Sequence, residues 1–357
     1  MTKHNEGVKK GKRVAIAMSG GVDSSAAAAF LLEEGYEVIG LTMDIGAGLT
    51  ATDAAKASAH LGIQHEVLNL QGLFNEKVID YFTSEYMRGR TPNPCAVCNR
   101  YLKFGALFEK ARQMGADMLA TGHYARVKYD EDSSRYLLYR AQDKSKDQSY
   151  FLYTLTQAQL ERIVFPLGEQ SKTQIRQKAA ELGLVSADKP ESQEICFIPD
   201  NDYKRFIAAR ISGLEIKPGL FLNTRGELLG QHQGIPYYTV GQRKGLGIAL
   251  GYPAFVVAID AKNNSIILGK DEDIYQKALE AEDNNFIVFD ELKEPLEVEA
   301  KIRYGAKPAK AVIAPGDKGR VFVSFDEPQR AITPGQVVTY YHGDIVIGGG
   351  VIAQVGF

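Results

Sequence analysis

From Arg13 onward the chain alternates apolar blocks of strand length with longer stretches of helical spacing. Arg13–Met18 reads as a strand, the Ala-rich stretch Ser24–Glu34 as a helix stopped by Gly35, and Glu37–Met43 as a second strand. Ala51–Leu61 reads as a helix and His65–Leu70 as a strand. A longer helix, about Leu73–Met87, leads to the turn Thr91-Pro92-Asn93-Pro94. About Arg100–Met114 is a further helix, followed by the strand Asp117–Thr121. Strands separated by helix-length segments are βαβ units, so the pattern predicts an α/β fold with a doubly wound parallel sheet. Ser171 and Gln174 fit a capping box for one more helix, with Ile175, Ala179 and Leu182 on one face and Gly183 as the stop. From about Lys217 the pattern shifts to short β-rich runs with Gly and Pro turns, such as Phe255–Ile259, Ser265–Leu268 and Arg320–Phe325. The expected domains are a nucleotide-binding catalytic domain over 1–205, a small mixed or β-rich central domain over 206–275, and a C-terminal β-barrel over 276–357. No internal repeat, heptad array or low-complexity tract interrupts this plan.

Composition narrows the class. The 357 residues are 45% hydrophobic and 24% charged, with 42 Lys+Arg against 44 Asp+Glu for a net charge of −2. Any nucleic-acid surface is therefore a local basic patch on a neutral background. The longest apolar run, Ala26 to Leu32, is far short of the ~20 residues that span a bilayer. The basic start (Lys9, Lys10, Lys12, Arg13) leads into a strand and a Gly-rich turn, unlike a secretory signal. Three cysteines in so long a chain are no disulfide framework and point to chemistry instead. A cytoplasmic multidomain enzyme is the expected class, with no membrane partner and a monomer as the default state.

Ser19-Gly20-Gly21-Val22-Asp23-Ser24 falls at a strand-to-helix junction. Paired glycines let the backbone approach an anion, the helix start supplies N–H groups and its positive dipole end, and Ser19 and Ser24 add hydroxyls. The stretch is neither GxGxxG nor GxxxxGK[ST], and it lacks the lysine that holds a γ-phosphate in the latter. It resembles the SGGxDS loop of the PP-loop ATP pyrophosphatases, which cleave ATP to AMP and pyrophosphate while adenylating a substrate. Asp23 suits Mg²⁺, which takes one or two carboxylates plus phosphate oxygens. The plainer alternatives are a Gly-Gly turn with Ser24 as helix cap, and Asp23 as a first-turn charge on the helix dipole.

Cys95 and Cys98 precede a helix in Pro92-Asn93-Pro94-Cys95-Ala96-Val97-Cys98-Asn99, a position that predicts a lowered thiol pKa. Cys196 lies about a hundred residues on, in Ser192-Gln193-Glu194-Ile195-Cys196-Phe197. A structural zinc site wants four ligands, and only one CxxC is present. Spacing alone does not bring the two cysteine segments together, and buried inert cysteine is the ordinary alternative.

The motifs taken in order are more specific. SGGVDSS, GRTPNPxxxCNRxLKFG, ATGHYARV, KDQSYFLY, FPLG, ESQEICFIPDxDY, YYTVGQRKGLGI, EPQRAITPGQ and GDIVIGGGVI run from the phosphate loop nearly to the C-terminus. Together they resemble the bacterial tRNA-specific 2-thiouridylases, the MnmA family. The resemblance implies ATP-dependent 2-thiolation of the wobble uridine in tRNAs for Lys, Glu and Gln, by adenylation of the C2 oxygen and sulfur attack. It implies Cys98 as nucleophile and Cys196 as persulfide carrier, linked by a disulfide during the cycle, and a cysteine desulfurase or sulfur-relay protein as donor. It implies nucleotide contacts from Ala17, Met18, Ser19, Gly20, Gly21, Val22, Asp23, Ser24, Met43 and Gly122. Asn93, Pro94 and Cys95 would border the flipped base, and His123, Lys146, Asp147, Gln148, Arg303, Tyr304 and Gln336 would contact tRNA.

Two departures stand out. The family pattern has Asp where this chain has Cys95, and three thiols would permit a [4Fe–4S] cluster on Cys95, Cys98 and Cys196 carrying the sulfide. The family also has a longer, partly acidic and aromatic segment after Met43, where this chain runs Asp44-Ile45-Gly46-Ala47-Gly48. The rival readings are another PP-loop sulfurtransferase, such as one making 2-thiocytidine, and a nucleotide- or RNA-binding module without turnover.

Overall fold

The computed structural model describes residues 11–46, 50–182, 195–211 and 216–356. Gly183, Lys9, Lys10, Ala47, Gly48 and Ser192–Glu194, used in the reading above, lie outside them. The chain forms two compact units. One comprises residues 1–77, 95–197 and 344–346, the other 78–94, 198–343 and 347–357.

The first unit is built on parallel strands β1 (Arg13–Ala17), β2 (Glu37–Asp44), β3 (Gln64–Asn69) and β4 (Met118–Thr121). An antiparallel hairpin follows, β5 (Ala125–Asp130) and β6 (Arg135–Arg140), and then the short β7 (Ile163–Val164). The parallel sheet runs β3-β2-β1-β4-β7. Val14, Ala15 and Ile16 of the central β1 are fully buried, as a strand covered on both faces requires. Helix Val22–Glu33 covers it with a run of small side chains, Ser24 to Ala29, all buried. Gly35, at φ +85°, ends that helix in the left-handed conformation that glycine adopts without strain. Helix Lys172–Glu181 begins with the predicted Ser171–Gln174 capping box and buries Ile175 and Ala179. The hairpin was not foreseen in the sequence, and neither was Ile345 pairing with Tyr139 of β6.

In the second unit, β8 (Gly219–Asn223), β9 (Leu228–His232), β10 (Phe255–Asp260) and β11 (Ser265–Gly269) form a sheet ordered β10-β11-β8-β9. Its core holds Phe221, Ile235, Tyr238, Val256, Ile266 and Leu268. Strands β12 (Tyr275–Phe286), β13 (Leu296–Lys301), β14 (Ala309–Pro315), β15 (Val321–Arg330), β16 (Val337–His342) and β17 (Ile345–Val355) run in the order β12-β15-β14-β13-β16-β17. Pairing of β12 with β17 closes these strands into a barrel among the described residues, which removes the exposed sheet edges. No described helix is long and apolar enough to cross a membrane.

Candidate functional site

The phosphate loop leaves β1 at its carboxyl end, where ligands of open α/β sheets bind. Ala17 sits opposite Leu41 and Thr121 in the neighbouring strands. Met18 is buried and its N–H donates to the Leu41 carbonyl at 2.7 Å, while Met43 is half-buried on β2. The loop folds onto its own helix start. Ser19 N–H donates to Ser24 Oγ at 3.2 Å, and the Ser24 and Ser25 hydroxyls donate to the Gly21 carbonyl at 3.1 and 3.0 Å. The helix cap is Gly21, extended and without a side-chain cap bond, so Ser24 is not the cap but the third residue of the turn. Val22 and Asp23 begin that turn and present main-chain N–H groups at the positive end of the helix. Two glycines let neighbouring chain press on the loop. A Cβ on Gly20 (φ +72°) would lie 2.6 Å from Asp53 Cβ, and one on Gly122 would lie 3.1 Å from the Asp23 carbonyl carbon and the Ser24 nitrogen.

Asp23 is held from two sides. The Tyr124 hydroxyl donates to its Oδ1 at 2.8 Å, and Lys172 Nζ lies 2.7 Å from the same oxygen. The carboxylate stays one-third exposed (33%), whereas the lysine side chain is 12% exposed. A partly exposed carboxylate in the first turn of the helix that follows this loop suits Mg²⁺ accompanying a phosphate. Neither Tyr124 nor Lys172 was picked out from the sequence, because 101 and 149 residues separate them from Asp23.

The cysteines share this unit. All three are free thiols, Cys95 and Cys196 with exposed surface and Cys98 half-buried. Two of them feel their neighbours electrostatically: Cys95 and Cys196 bear on Cys98, and Cys95 on Cys196. The expected lowering of the thiol pKa is overturned. The thiols sit in recesses crowded by protein, and burial raises all three, Cys98 to about 12. The helical environment differs from the expected one as well, since Cys98 closes the short helix Pro94–Cys98 and π-helical Asn99–Leu107 follows. Against burial acts one cation. Lys103 draws every one of the three thiols downward. Its place follows from the π-helix, whose i→i+5 bonding turns the fifth residue after Cys98 back toward the same face. An α-helical reading would have turned it aside, and for that reason the sequence did not single it out.

Lys103 Nζ lies 3.4 Å from His123 Nε2, and His123 Nδ1 is 2.8 Å from the Thr121 hydroxyl. The His123 ring is packed by Phe104 and Phe165, and burial followed by the Lys103 charge holds its pKa well below the usual value. It is a neutral interior imidazole, not an outward-facing one. As for the proposed cluster, no group of three or more Cys, His, Asp or Glu side chains among the described residues is arranged to hold a metal ion. The arrangement of Cys95, Cys98 and Cys196 thus lends no support to a [4Fe–4S] centre, which is held by thiolates.

The residues expected at tRNA are placed variously. Asp147 is buried and accepts from Arg140 Nε, the Ala141 and Ser149 N–H groups and the Ser149 hydroxyl. Gln148 Oε1 accepts from Tyr124 N–H at 3.1 Å, and Lys146 is half-buried. In the second unit, Arg303 donates to the Arg330 carbonyl at 2.8 Å and Tyr304 is exposed beneath the Lys301 ammonium. Asn93 and Pro94 are buried. Gln336 Nε2 donates to the Thr91 and Pro92 carbonyls at 3.1 and 3.2 Å, tying down the segment that leads to Asn93.

Three family models match in succession: a tRNA methyl transferase HUP domain over residues 12–200, a tRNA methyl transferase PRC-barrel domain over 204–270, and an aminomethyltransferase β-barrel domain over 276–352. The tRNA-specific 2-thiouridylase MnmA of Carboxydothermus hydrogenoformans is 54% identical over 358 residues, covering 96% of this chain and 98% of that protein. That of Acetivibrio thermocellus is 54% identical over 356 residues, covering 96% and 99%. Among solved structures, a predicted subunit of tRNA methyltransferase from Methanocaldococcus jannaschii aligns over 48% of this chain and 75% of its own at 20% identity, with a TM-score of 0.35. With more than half of its residues identical to such relatives along nearly the whole of both chains, this protein belongs to the tRNA-specific 2-thiouridylase family.

Proposed function

We propose that this protein replaces the C2 oxygen of a tRNA wobble uridine with sulfur, using ATP, in the tRNAs for Lys, Glu and Gln. The observation that carries the reading is the presence of three free thiols in the same compact unit as the uncapped phosphate loop, in a chain 54% identical to tRNA-specific 2-thiouridylases. Oxygen at C2 is a poor leaving group. Attack of that oxygen on the α-phosphate of ATP releases pyrophosphate and leaves AMP as the group to be expelled. The loop's N–H groups and hydroxyls hold the phosphates in place, so catalysis here is positional and electrostatic. Asp23 is the residue to hold Mg²⁺, which supplies charge neutralisation at the pyrophosphate.

A sulfane sulfur from a cysteine desulfurase or sulfur-relay protein converts Cys196 to its persulfide. Its terminal sulfur attacks C2 and expels AMP, after which the Cys98 thiolate attacks Cys196 Sγ and frees the thiolated base. Alternatively, Cys98 attacks Cys196 Sγ first and the released hydrosulfide attacks C2. Either order ends in a Cys98–Cys196 disulfide, which an external thiol reductant returns to two thiols. The base leaves the anticodon stack to reach the sulfur, at a cost of roughly a few kcal/mol. Asn93, Pro94 and Cys95 would line its path, with Lys146, Arg303 and Tyr304 on the RNA backbone; Asp147 and Gln148 would brace the Lys146 stretch, Gln336 the chain ahead of Asn93, and His123 would support Lys103.

The test is reconstitution from unmodified tRNA, ATP, cysteine and a desulfurase, with nucleoside mass spectrometry of the product. The expected product is 2-thiouridine, lost in Cys98→Ser and Cys196→Ser. 2-Thiocytidine as the product, or full activity in both variants, would overturn the reading.

A further inference from the structure

The phosphate loop contains no lysine or arginine, although a polyphosphate at a loop-to-helix start is ordinarily met by a cation as well as by N–H groups. The fold brings one there from elsewhere. Lys172 is the first residue of helix Lys172–Glu181, whose start is fixed by the reciprocal Ser171–Gln174 cap and by Asp143, which accepts from the Lys172 N–H at 3.4 Å. Its stem runs past the Tyr124 ring, with Nζ 5.7 Å from the ring centre, and its ammonium reaches Asp23 in the first turn of the loop helix. Ile175 and Ala179 are buried and Lys178 pairs with Glu33 of the loop helix, so the two helices are fastened along their length.

We propose that Lys172 is the phosphate-binding lysine of this nucleotide site: it pairs with Asp23 while the site is empty and turns to the polyphosphate oxygens when ATP and Mg²⁺ enter. The proposal rests on the reading of the loop as an ATP site. An Asp23 carboxylate released to a divalent cation no longer needs the ammonium, and a phosphate oxygen is an equally short reach from the loop's first turn. Both charges thus stay compensated in the empty and the filled site, which a lone half-buried lysine or a lone carboxylate would not allow. Here the Tyr124 hydroxyl holds Asp23 independently of the lysine, an anchor that would keep the carboxylate from following Lys172 when it turns.

The experiment is equilibrium binding of ATP and of adenosine to the full-length protein, with and without Mg²⁺, for wild type, Lys172→Met and Lys172→Arg. Losing a charge-assisted phosphate contact should weaken ATP by about 10- to 100-fold. Adenosine, which has no phosphate, should bind Lys172→Met within about three-fold of wild type, and Lys172→Arg should recover most of the ATP affinity. ATP binding to Lys172→Met within two-fold of wild type would overturn the proposal, as would equal losses for ATP and adenosine, which mark a purely structural ion pair. Failure of the wild type itself to bind ATP would instead overturn the ATP-site reading on which the proposal depends.

Discussion

At the scale of single residues the chemistry turns on how burial and one ammonium compete for the thiols. Burial raises Cys95, Cys98 and Cys196, and Lys103 opposes it at all three. Replacing Lys103 by Met should slow iodoacetamide alkylation of Cys98 at pH 8 by roughly three- to ten-fold, with Lys103→Arg staying near wild type. Because Cys98 is raised to about 12, its alkylation rate should climb steadily across pH 7 to 10; a plateau below pH 9 would contradict the assignment. His123 makes a prediction of opposite sense. It is neutral in the folded state, whereas an unfolded histidine binds a proton below about pH 6.5, so its contribution is present above that pH and lost as the pH falls. Burial lowers His65 and His232 as well, so the measurement must be a difference. Between pH 7 and 5.5 the stability gap separating wild type from His123→Asn should shrink by about 1 kcal/mol, read from urea unfolding at each pH. The cysteines were legible in the sequence as chemistry, but their titration was not, because a helix position can be read from spacing and the protein packed around a sulfur cannot.

Secondary elements were legible where one local rule governs them. Helix Lys172–Glu181 carries its cap in four residues, and β1 carries its burial in an unbroken apolar run. The stretch expected as one helix, about Arg100–Met114, is π-helical from Asn99 to Leu107 and α-helical only from Phe108 to Gln113. Apolar spacing cannot separate i+4 from i+5 over so short a run, yet that difference decides whether Lys103 shares a face with Cys98. The loop–helix junction depends on tighter geometry. Gly20 combines a positive φ with a Cβ position against the Asp53 Cβ and the Ala54 nitrogen, the latter at 2.8 Å. Gly20→Ala must therefore shift either the loop or helix Thr50–His60. It should cost about 1–3 kcal/mol in stability and weaken ATP binding at least ten-fold, measured by thermal unfolding and equilibrium dialysis. A stable variant with wild-type ATP affinity would show that the loop tolerates the displacement.

Across the whole molecule the compact units do not follow chain order, and a residue carried over as an RNA contact gains a second role from that fact. The segment Val78–Pro94 belongs to the unit formed mostly by residues after Ile198. There Phe82 packs on Phe206 and Tyr86 on Tyr203, Arg90 pairs with Glu282, and Thr91 N–H donates to the Pro334 carbonyl at 2.8 Å. A linear reading of composition shifts has no access to such crossings, since each depends on partners more than a hundred residues apart. Gln336 completes the anchoring with its two bonds to the Thr91 and Pro92 carbonyls. That segment runs on through Asn93 and Pro94, the residues expected to border the target base. If Gln336 acts by holding it, Gln336→Leu should leave tRNA and ATP affinities within about two-fold of wild type while lowering the single-turnover thiolation rate by roughly ten-fold or more, because small displacements of reacting groups are costly in rate. If Gln336 acts instead by gripping RNA, tRNA affinity falls and the single-turnover rate at saturating tRNA is preserved. Filter binding and quenched single-turnover assays on the same variant separate the two. The two carbonyl bonds favour the first outcome, because the side-chain donor that would reach a phosphate is already committed to the backbone ahead of Cys95.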